Sequence, residues 1–298
     1  MKIAIIGGGS IGLLFSYYLH MHHPVCLYVR SQEQAERIRK NGLSFMHSGE
    51  EKQIKLDVKL ISEWQGEEDV TFIAVKQYHL PDLMDQLTAF SQADKTLIFL
   101  QNGMGHIKLL EPLHGKILLG TVEHGALKIN SHTVIHTGVG LTKLAAYHHS
   151  SPMRQEVKKM LNDDNFLFLF EEDYGKMLTK KLVVNAVINP LTAILGVNNG
   201  ELIQNPDFFA IVKRLFAEIE TSLSLVNSEE YFQNVIAVCE KTAQNQSSML
   251  RDLMENRPTE IDAILGYILE KAAERDINTP IIEAFYLAVK GKENRVGE

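Results

Sequence analysis

Hydrophobic positions in the first half of the chain fall into short unbroken runs, at residues 2–6, 25–29, 70–75, 96–100 and 117–122. Amphipathic stretches with a helical period separate several of them, at 11–20, 32–41, 80–90 and 107–113. Short apolar runs alternating with helical segments predict a parallel sheet with right-handed helical crossovers. Residues 127–146 break the pattern. They are rich in Thr, Val, His and Gly and read as antiparallel strands or hairpins near a sheet edge. A last short strand is predicted at 166–170.

Beyond Glu171-Glu172-Asp173 the period changes to helical and stays so. Helices are predicted at 176–195, 208–226, 231–244 and 260–275, punctuated by Gly200, Pro206, Pro258 and Pro280. Pro190 falls inside the first of these and predicts a kink or a break. Asn198-Asn199-Gly200-Glu201 reads as a turn opening a further helix. The polar tail from Gly291 is expected to fray. The pattern divides the chain near residue 171, into an α/β domain at 1–171 and an all-α domain at 172–298.

Composition narrows the setting. The chain has 298 residues, 45% hydrophobic and 22% charged, which is globular composition and long enough for two domains. A net charge of −7 provides no positive field for phosphate backbones, so nucleic acid is not the expected partner. Cys26 and Cys239 are too few for a disulfide framework and fit a reducing cytoplasm. No uninterrupted apolar run reaches the ~18–20 residues needed to cross a membrane, and the start of the chain lacks a signal-peptide pattern.

The first run leads into Gly7-Gly8-Gly9-Ser10-Ile11-Gly12, a Gly-x-Gly-x-x-Gly turn between a strand and a helix. Gly7 allows the tight turn, Gly9 lets backbone approach a pyrophosphate, and Gly12 lets the helix pack closely. The free N–H groups of Ser10, Ile11 and their neighbours at the helix start would then hold the phosphates. This predicts a Rossmann-type dinucleotide-binding domain. NAD-preferring sites place a carboxylate at the end of the second strand, where this chain has Tyr28-Val29-Arg30-Ser31. Arg30 suits a 2′-phosphate, so NADP(H) is expected over NAD(H). Lys76 and Asn102 follow further strands at the carboxyl edge, where ligands bind in such sheets. A surface lysine and a plain Asn-Gly turn explain them equally well.

In the second half, Lys181, Asn185 and Asn189 recur every four residues in an otherwise apolar stretch. A helix places them in one row, and buried polar groups need partners. A ligand would supply those partners, and so would internal hydrogen bonds. Thr259 reads as a helix cap with Glu260 and Asp262 in the first turn, and Ser248 as a helix start. The twelve histidines are scattered, with His22-His23 and His148-His149 reading as surface pairs, and no metal-ligand spacing is found.

These residues resemble the ketopantoate reductase family. The likeness runs through Gly7–Gly12, Arg30, Lys76, Gln101-Asn102-Gly103, His124-Gly125-Ala126, the Lys-x3-Asn-x3-Asn-Pro-Leu-Thr-Ala segment from Lys181, Asn199-Gly200-Glu201, Ser247-Ser248-Met249 and Arg257 to Asp262. The resemblance implies an active site in the cleft between the two domains. It implies NADPH-dependent reduction of 2-dehydropantoate on the pantothenate branch toward coenzyme A. Lys181 would then be the proton donor, and Glu260 would bind the substrate hydroxyl. Asn185, Asn189, Asn199 and Ser248 would contact substrate. Arg30 would lie near the 2′-phosphate, with Lys76, Asn102 and Ala126 touching nucleotide or cleft. Glu123 is expected at a buried strand end near the cofactor, with no role assigned. The resemblance leaves a homodimer open. Two other readings compete, a reductase of another branched 2-keto acid and a non-catalytic NADP-sensing protein.

Overall fold

The computed structural model describes residues 1–91, 94–147, 157, 161 and 166–294. The pair His148-His149 lies outside these residues. The chain forms two compact units. Met1–Gln101 with Lys108–Met177 makes the first, and Asn102–Ile107 with Leu178–Glu298 makes the second.

The first unit is built on an eight-stranded sheet. Its strands are β1 (Ile3–Ile6), β2 (Val25–Val29), β5 (Asp57–Leu60), β6 (Val70–Ile73), β7 (Thr96–Phe99), β8 (Lys116–Val122), β11 (Thr142–Ala146) and β12 (Phe168–Phe170), in the order β12-β11-β8-β7-β6-β1-β2-β5. All neighbours run parallel except β8 and β11. β1 lies between β2 and β6, with Ile3 opposite both Val25 and Val70. Every side chain of β1, β2, β6 and β7 is buried, as central parallel strands require. Helices α1 (Ser10–His20) and α2 (Gln32–Asn41) cover the sheet, and Phe15 meets Phe72 and Phe166 edge to face in the core.

A second sheet combines an antiparallel pair of the kind expected at 127–146 with two strands that escape the sequence pattern. Strands β3 (Leu43–His47), β4 (Glu50–Ile54), β9 (Gly125–Lys128) and β10 (Thr133–Gly138) join in the order β4-β3-β10-β9. β4 is Glu-Glu-Lys-Gln-Ile and almost wholly exposed, so no apolar run marks it. The hairpin between β3 and β4 turns at Ser48 (φ 50°) and Gly49 (φ 84°), the left-handed pair that matches strand twist. The expected helix at 80–90 is shorter. Two 3₁₀ turns, Gln77–His79 and Pro81–Leu83, precede α3 (Met84–Phe90). The expected helix at 107–113 is a 3₁₀ turn, Gly105–Leu110. His22 and His23 sit on the turn after α1, exposed and half-buried respectively.

The second unit is helical. It contains α4 (Tyr174–Leu195, which begins in the first unit), α5 (Glu201–Gln204), α6 (Pro206–Leu223), α7 (Ser228–Lys241), α8 (Ser248–Met254), α9 (Tyr267–Ala273) and α10 (Pro280–Asn294). α4 passes through Pro190 without a break. It is long and apolar enough to span a membrane by length and composition, yet most of it is buried inside the protein. α6 starts on Pro206, capped by Asn205 Oδ1, which accepts from Asp207 and Phe208 N–H. The expected single helix at 260–275 is divided into a π-helical segment, Asp262–Gly266, and α9. Gly291 does not begin a frayed tail, because α10 runs on to Asn294. Glu218 closes the start of α10 by accepting from the N–H groups of Ile281 and Ile282.

A chain of buried histidines ties the two sheets of the first unit together. Gly140 N–H donates to His124 Nδ1 at 3.2 Å, so that nitrogen carries no proton. His136 Nε2, 3.2 Å from the same atom, must therefore be the donor, and His136 Nδ1 then accepts from Tyr18 O–H at 2.9 Å. Both rings are neutral in this arrangement. Burial drives His124 down to about 4, with the neighbouring His136 adding to it, and burial likewise lowers His136. A histidine depressed in the folded state contributes stability above its unfolded value near 6.5, lost as pH falls toward the folded value. We expect the urea midpoint to fall between pH 7 and pH 5. Each proton bound only by the unfolded chain adds up to about 1.4 kcal/mol per pH unit. His124→Gln should flatten that slope, and an equally steep slope in the variant would refute the assignment.

Candidate functional site

The glycine turn joins β1 to α1, and its glycines serve different ends. Gly7 has φ 118°, open to glycine alone without strain. A Cβ on Gly12 would lie 1.7 Å from the Gly7 carbonyl oxygen, so the first turn of α1 can pack there only without a side chain. Gly9 differs. Its φ of −81° suits any residue, and a Cβ there would meet no protein atom within 4 Å. Neither backbone strain nor internal packing asks for glycine at this point. An approaching ligand does, and Gly9 caps α1 with no side chain turned onto the helix N–H groups. The residues present thus fit a dinucleotide pyrophosphate.

Gln34 and Lys128 hold this turn from outside. The Gln34 amide and the Lys128 ammonium both donate to the Gly8 carbonyl, each at 2.9 Å, and Ser10 Oγ accepts from Lys128 N–H at 3.2 Å. Ala126 lies two residues before Lys128 on β9, on the same face of that strand. Ile11 is half-buried and packs against the core cluster. Arg30, exposed at the end of β2, brings Nη1 to 3.3 and 3.4 Å from the two ring nitrogens of His79. Lys76, half-buried after β6, opens the 3₁₀ turn that carries His79. Gln101 secures that strand end by donating to the carbonyls of Ile73 (2.9 Å) and Val75 (3.0 Å). Glu123 departs from expectation. It is exposed rather than buried, and pairs with Lys143 at 3.1 Å across the β8–β11 edge.

In the second unit, Lys181, Asn185 and Asn189 lie on one face of α4, with Lys181 and Asn185 half-buried and Asn189 buried. Glu260 is 7% exposed and its Oε2 accepts from the Asn102 amide at 2.8 Å. Capping therefore does not account for Glu260. Thr259 performs that task, its Oγ1 accepting from Ile261 N–H at 3.2 Å, and Asp262 turns outward to Tyr286 and Lys290. Asn102 belongs to this unit, not to the dinucleotide sheet. The glycine beside it explains the close fit, since a Cβ on Gly103 would strike the Ala263 carbonyl at 2.1 Å. The π segment begins two residues after Glu260, at Asp262. Such insertions recur where a helix re-aims side chains at a functional site.

Asn199 is buried. Its amide donates to Thr242 Oγ1 at 2.9 Å, while its Oδ1 has no hydrogen-bond partner among the described residues. Ser248 is exposed at the first turn of α8. The buried serine is Ser247, which caps that helix by accepting from Leu250 N–H and receives the Thr192 hydroxyl at 2.7 Å. His106 was not singled out in the sequence. It is 1% exposed, and burial lowers it to about 4 against the opposing pull of the Glu260 charge.

Two family profiles match the chain. Ketopantoate reductase PanE/ApbA matches residues 3–149, and Ketopantoate reductase PanE/ApbA C terminal matches residues 173–293. The chain belongs to the ketopantoate reductase family. A 2-dehydropantoate 2-reductase of Bacillus subtilis is 39% identical over 300 residues, covering 100% of this chain and 99% of the relative. The crystal structure of a probable 2-dehydropantoate 2-reductase from Bacillus subtilis superposes with a TM-score of 0.88 at 39% identity, over 98% of this chain and 100% of the other. D-mandelate dehydrogenase, solved with NADH and anilino(oxo)acetate, shares the fold at 24% identity and a TM-score of 0.89, over 100% of both chains. This member of the ketopantoate reductase family thus joins a Rossmann-like parallel-sheet unit to a helical one.

Gly9 and Gly12 should separate in experiment. Gly9→Ala is expected to leave the melting temperature unchanged while weakening dinucleotide affinity at least about tenfold, the loss of one charge-assisted phosphate contact. Gly12→Ala is expected to cost about 1–3 kcal/mol of stability through overpacking. Calorimetric titration and thermal melts read the two effects, and undiminished affinity in Gly9→Ala would refute the cradle.

Proposed function

We propose that this chain reduces 2-dehydropantoate to pantoate with NADPH, in the pantothenate branch of coenzyme A biosynthesis. Residues 1–171 hold the nucleotide, and residues 172–298 hold and protonate the substrate. The observation that carries the reading is the buried Glu260 carboxylate, held by Asn102 in the same unit as the Lys181–Asn185–Asn189 row. The 39% identical Bacillus subtilis relative supports the choice of substrate. A cytoplasmic setting accords with the two free, buried thiols, which burial pushes up to about 12 and keeps protonated.

Gly7, Gly8, Gly9, Ser10, Ile11 and Gly12 receive the pyrophosphate on backbone N–H groups. Arg30 grips the 2′-phosphate, with Lys76 and Ala126 beside the nucleotide. When bound, the reduced nicotinamide supplies a hydride to the keto carbon. The Lys181 ammonium stabilises the charge that grows on the keto oxygen and delivers the proton. Glu260, oriented by Asn102, accepts from the 4-hydroxyl. Asn185, Asn189, Asn199 and Ser248 position the remaining polar groups. A buried carboxylate that expects a hydroxyl penalises keto acids lacking one, because it then gives up water without gaining that donor.

Loss of reduced-nicotinamide absorbance tests the reading with 2-dehydropantoate and with 2-ketoisovalerate, which lacks the hydroxyl. Only the first should be turned over rapidly. Lys181→Ala should lower turnover by roughly 10²–10⁴-fold, the usual worth of a positioned general acid, while NADPH affinity holds. Glu260→Ala should erase most of the preference between the two keto acids. Near-normal turnover in Lys181→Ala would overturn the assignment.

A further inference from the structure

The contact between Arg30 and His79 has an unusual geometry. Arg30 Nη1 is 3.3 Å from Nδ1 and 3.4 Å from Nε2 of the same ring. These nitrogens flank one ring carbon. A donor in the ring plane at near-equal distance from both would run into that carbon's hydrogen. The guanidinium therefore lies over the imidazole face, and the hydrogen-bonding directions in the ring plane point elsewhere. Arg30 follows β2 and His79 follows β6, the two parallel neighbours of β1, so both stand at the carboxyl edge with the glycine turn.

Resting on the NADPH reading above, we infer that His79 is the second half of the 2′-phosphate grip, stacked by Arg30 and donating edge-on to the phosphate monoester. A phosphate monoester offers three acceptor oxygens and close to two negative charges. The guanidinium fork satisfies two oxygens at most from one side. The imidazole, flanked by the Tyr78 ring at 4.5 Å and carried on a turn closed by the His79 backbone N–H donating to the Lys76 carbonyl at 3.0 Å, is half-buried and placed to meet a third.

The charges around His79 are Arg30, the Lys76 ammonium on the same turn, and Asp82 on the following turn. Burial and then Arg30 lower the imidazole, with Asp82 opposing them. A dianion in the grip reverses that balance and favours imidazolium, which takes its proton from solvent. The NADPH complex then binds a proton that the NADH complex does not. By linkage, the NADPH advantage grows as pH falls. Above the second phosphate pKa, about 6, the ligand's own titration does not mask this.

Calorimetric titration of the full chain with NADPH and with NADH, at pH 6.5 and 8.5, tests the inference without turnover. Wild type should prefer NADPH at both values, with the preference at least about threefold larger at pH 6.5. His79→Ala should cut the preference about tenfold at pH 6.5 and remove its pH dependence. His79→Lys should restore the preference but not the pH dependence. If Arg30→Ala loses the preference while His79→Ala keeps it, the inference falls and the NADPH reading stands. Equal affinity of wild type for NADPH and NADH would overturn the cofactor reading itself, and the grip with it. Melting temperatures of the variants show whether any loss comes from misfolding.

Discussion

The first unit depends on one close approach, that of Gly12 to the carbonyl oxygen of Gly7, where even a methyl group would lie 1.7 Å from oxygen. This contact sets the angle at which α1 leaves β1. With that angle set, the helix's unsatisfied N–H groups stand at the carboxyl edge of the sheet and Gly9 borders open space. The Gly8 carbonyl, turned away from that space, is taken up by Gln34 from α2 and Lys128 from β9. Elements from two sheets and a helix thus converge on a turn that carries almost no side chains. The backbone there is held rigid by donors from outside, which leaves its own donors for a ligand.

In the second unit the corresponding constraint is a buried carboxylate. Glu260 cannot stay ionised and buried without hydrogen-bond donors, since desolvation of an unpaired charge is too costly. Asn102 supplies one of them from a segment far away in sequence. Gly103 brings that segment against the Ala263 backbone, and the π turn beginning at Asp262 absorbs the irregularity. The same six-residue segment carries His106, a buried imidazole that feels the Glu260 charge. The loop after β7 is in this sense part of the helical unit's chemistry, although its strand belongs to the sheet.

Much of this was legible along the chain. The fully buried strands announced themselves because a central parallel strand is apolar on both faces. The Gly-x-Gly-x-x-Gly spacing placed the turn between β1 and α1, and the four-residue recurrence from Lys181 to Asn189 placed a polar row on a helix. The second sheet was legible only in its antiparallel β9–β10 pair. β4 is exposed, and its place comes from pairing with β3 rather than from its own composition. Pro190 does not break α4, because a buried helix can carry a proline when tertiary packing outweighs one lost hydrogen bond. Glu123 looked like a buried strand end because sequence order cannot show that Lys143 lies across the sheet edge.

The sequence by itself determined the alternation of strand and helix, the change to helices past residue 171, the glycine turn and the residue types available for chemistry. These are local properties, set by period, backbone freedom and side-chain functionality. Tertiary structure alone decided which polar groups meet. It assigned Asn102 to Glu260, capping to Ser247 rather than Ser248, Lys128 to the Gly8 carbonyl, and Arg30 to the face of His79. Each pairing except the serine cap joins residues far apart in the chain. A hydrogen bond depends on distance and direction in space, and neither is written in the order of residues along one segment.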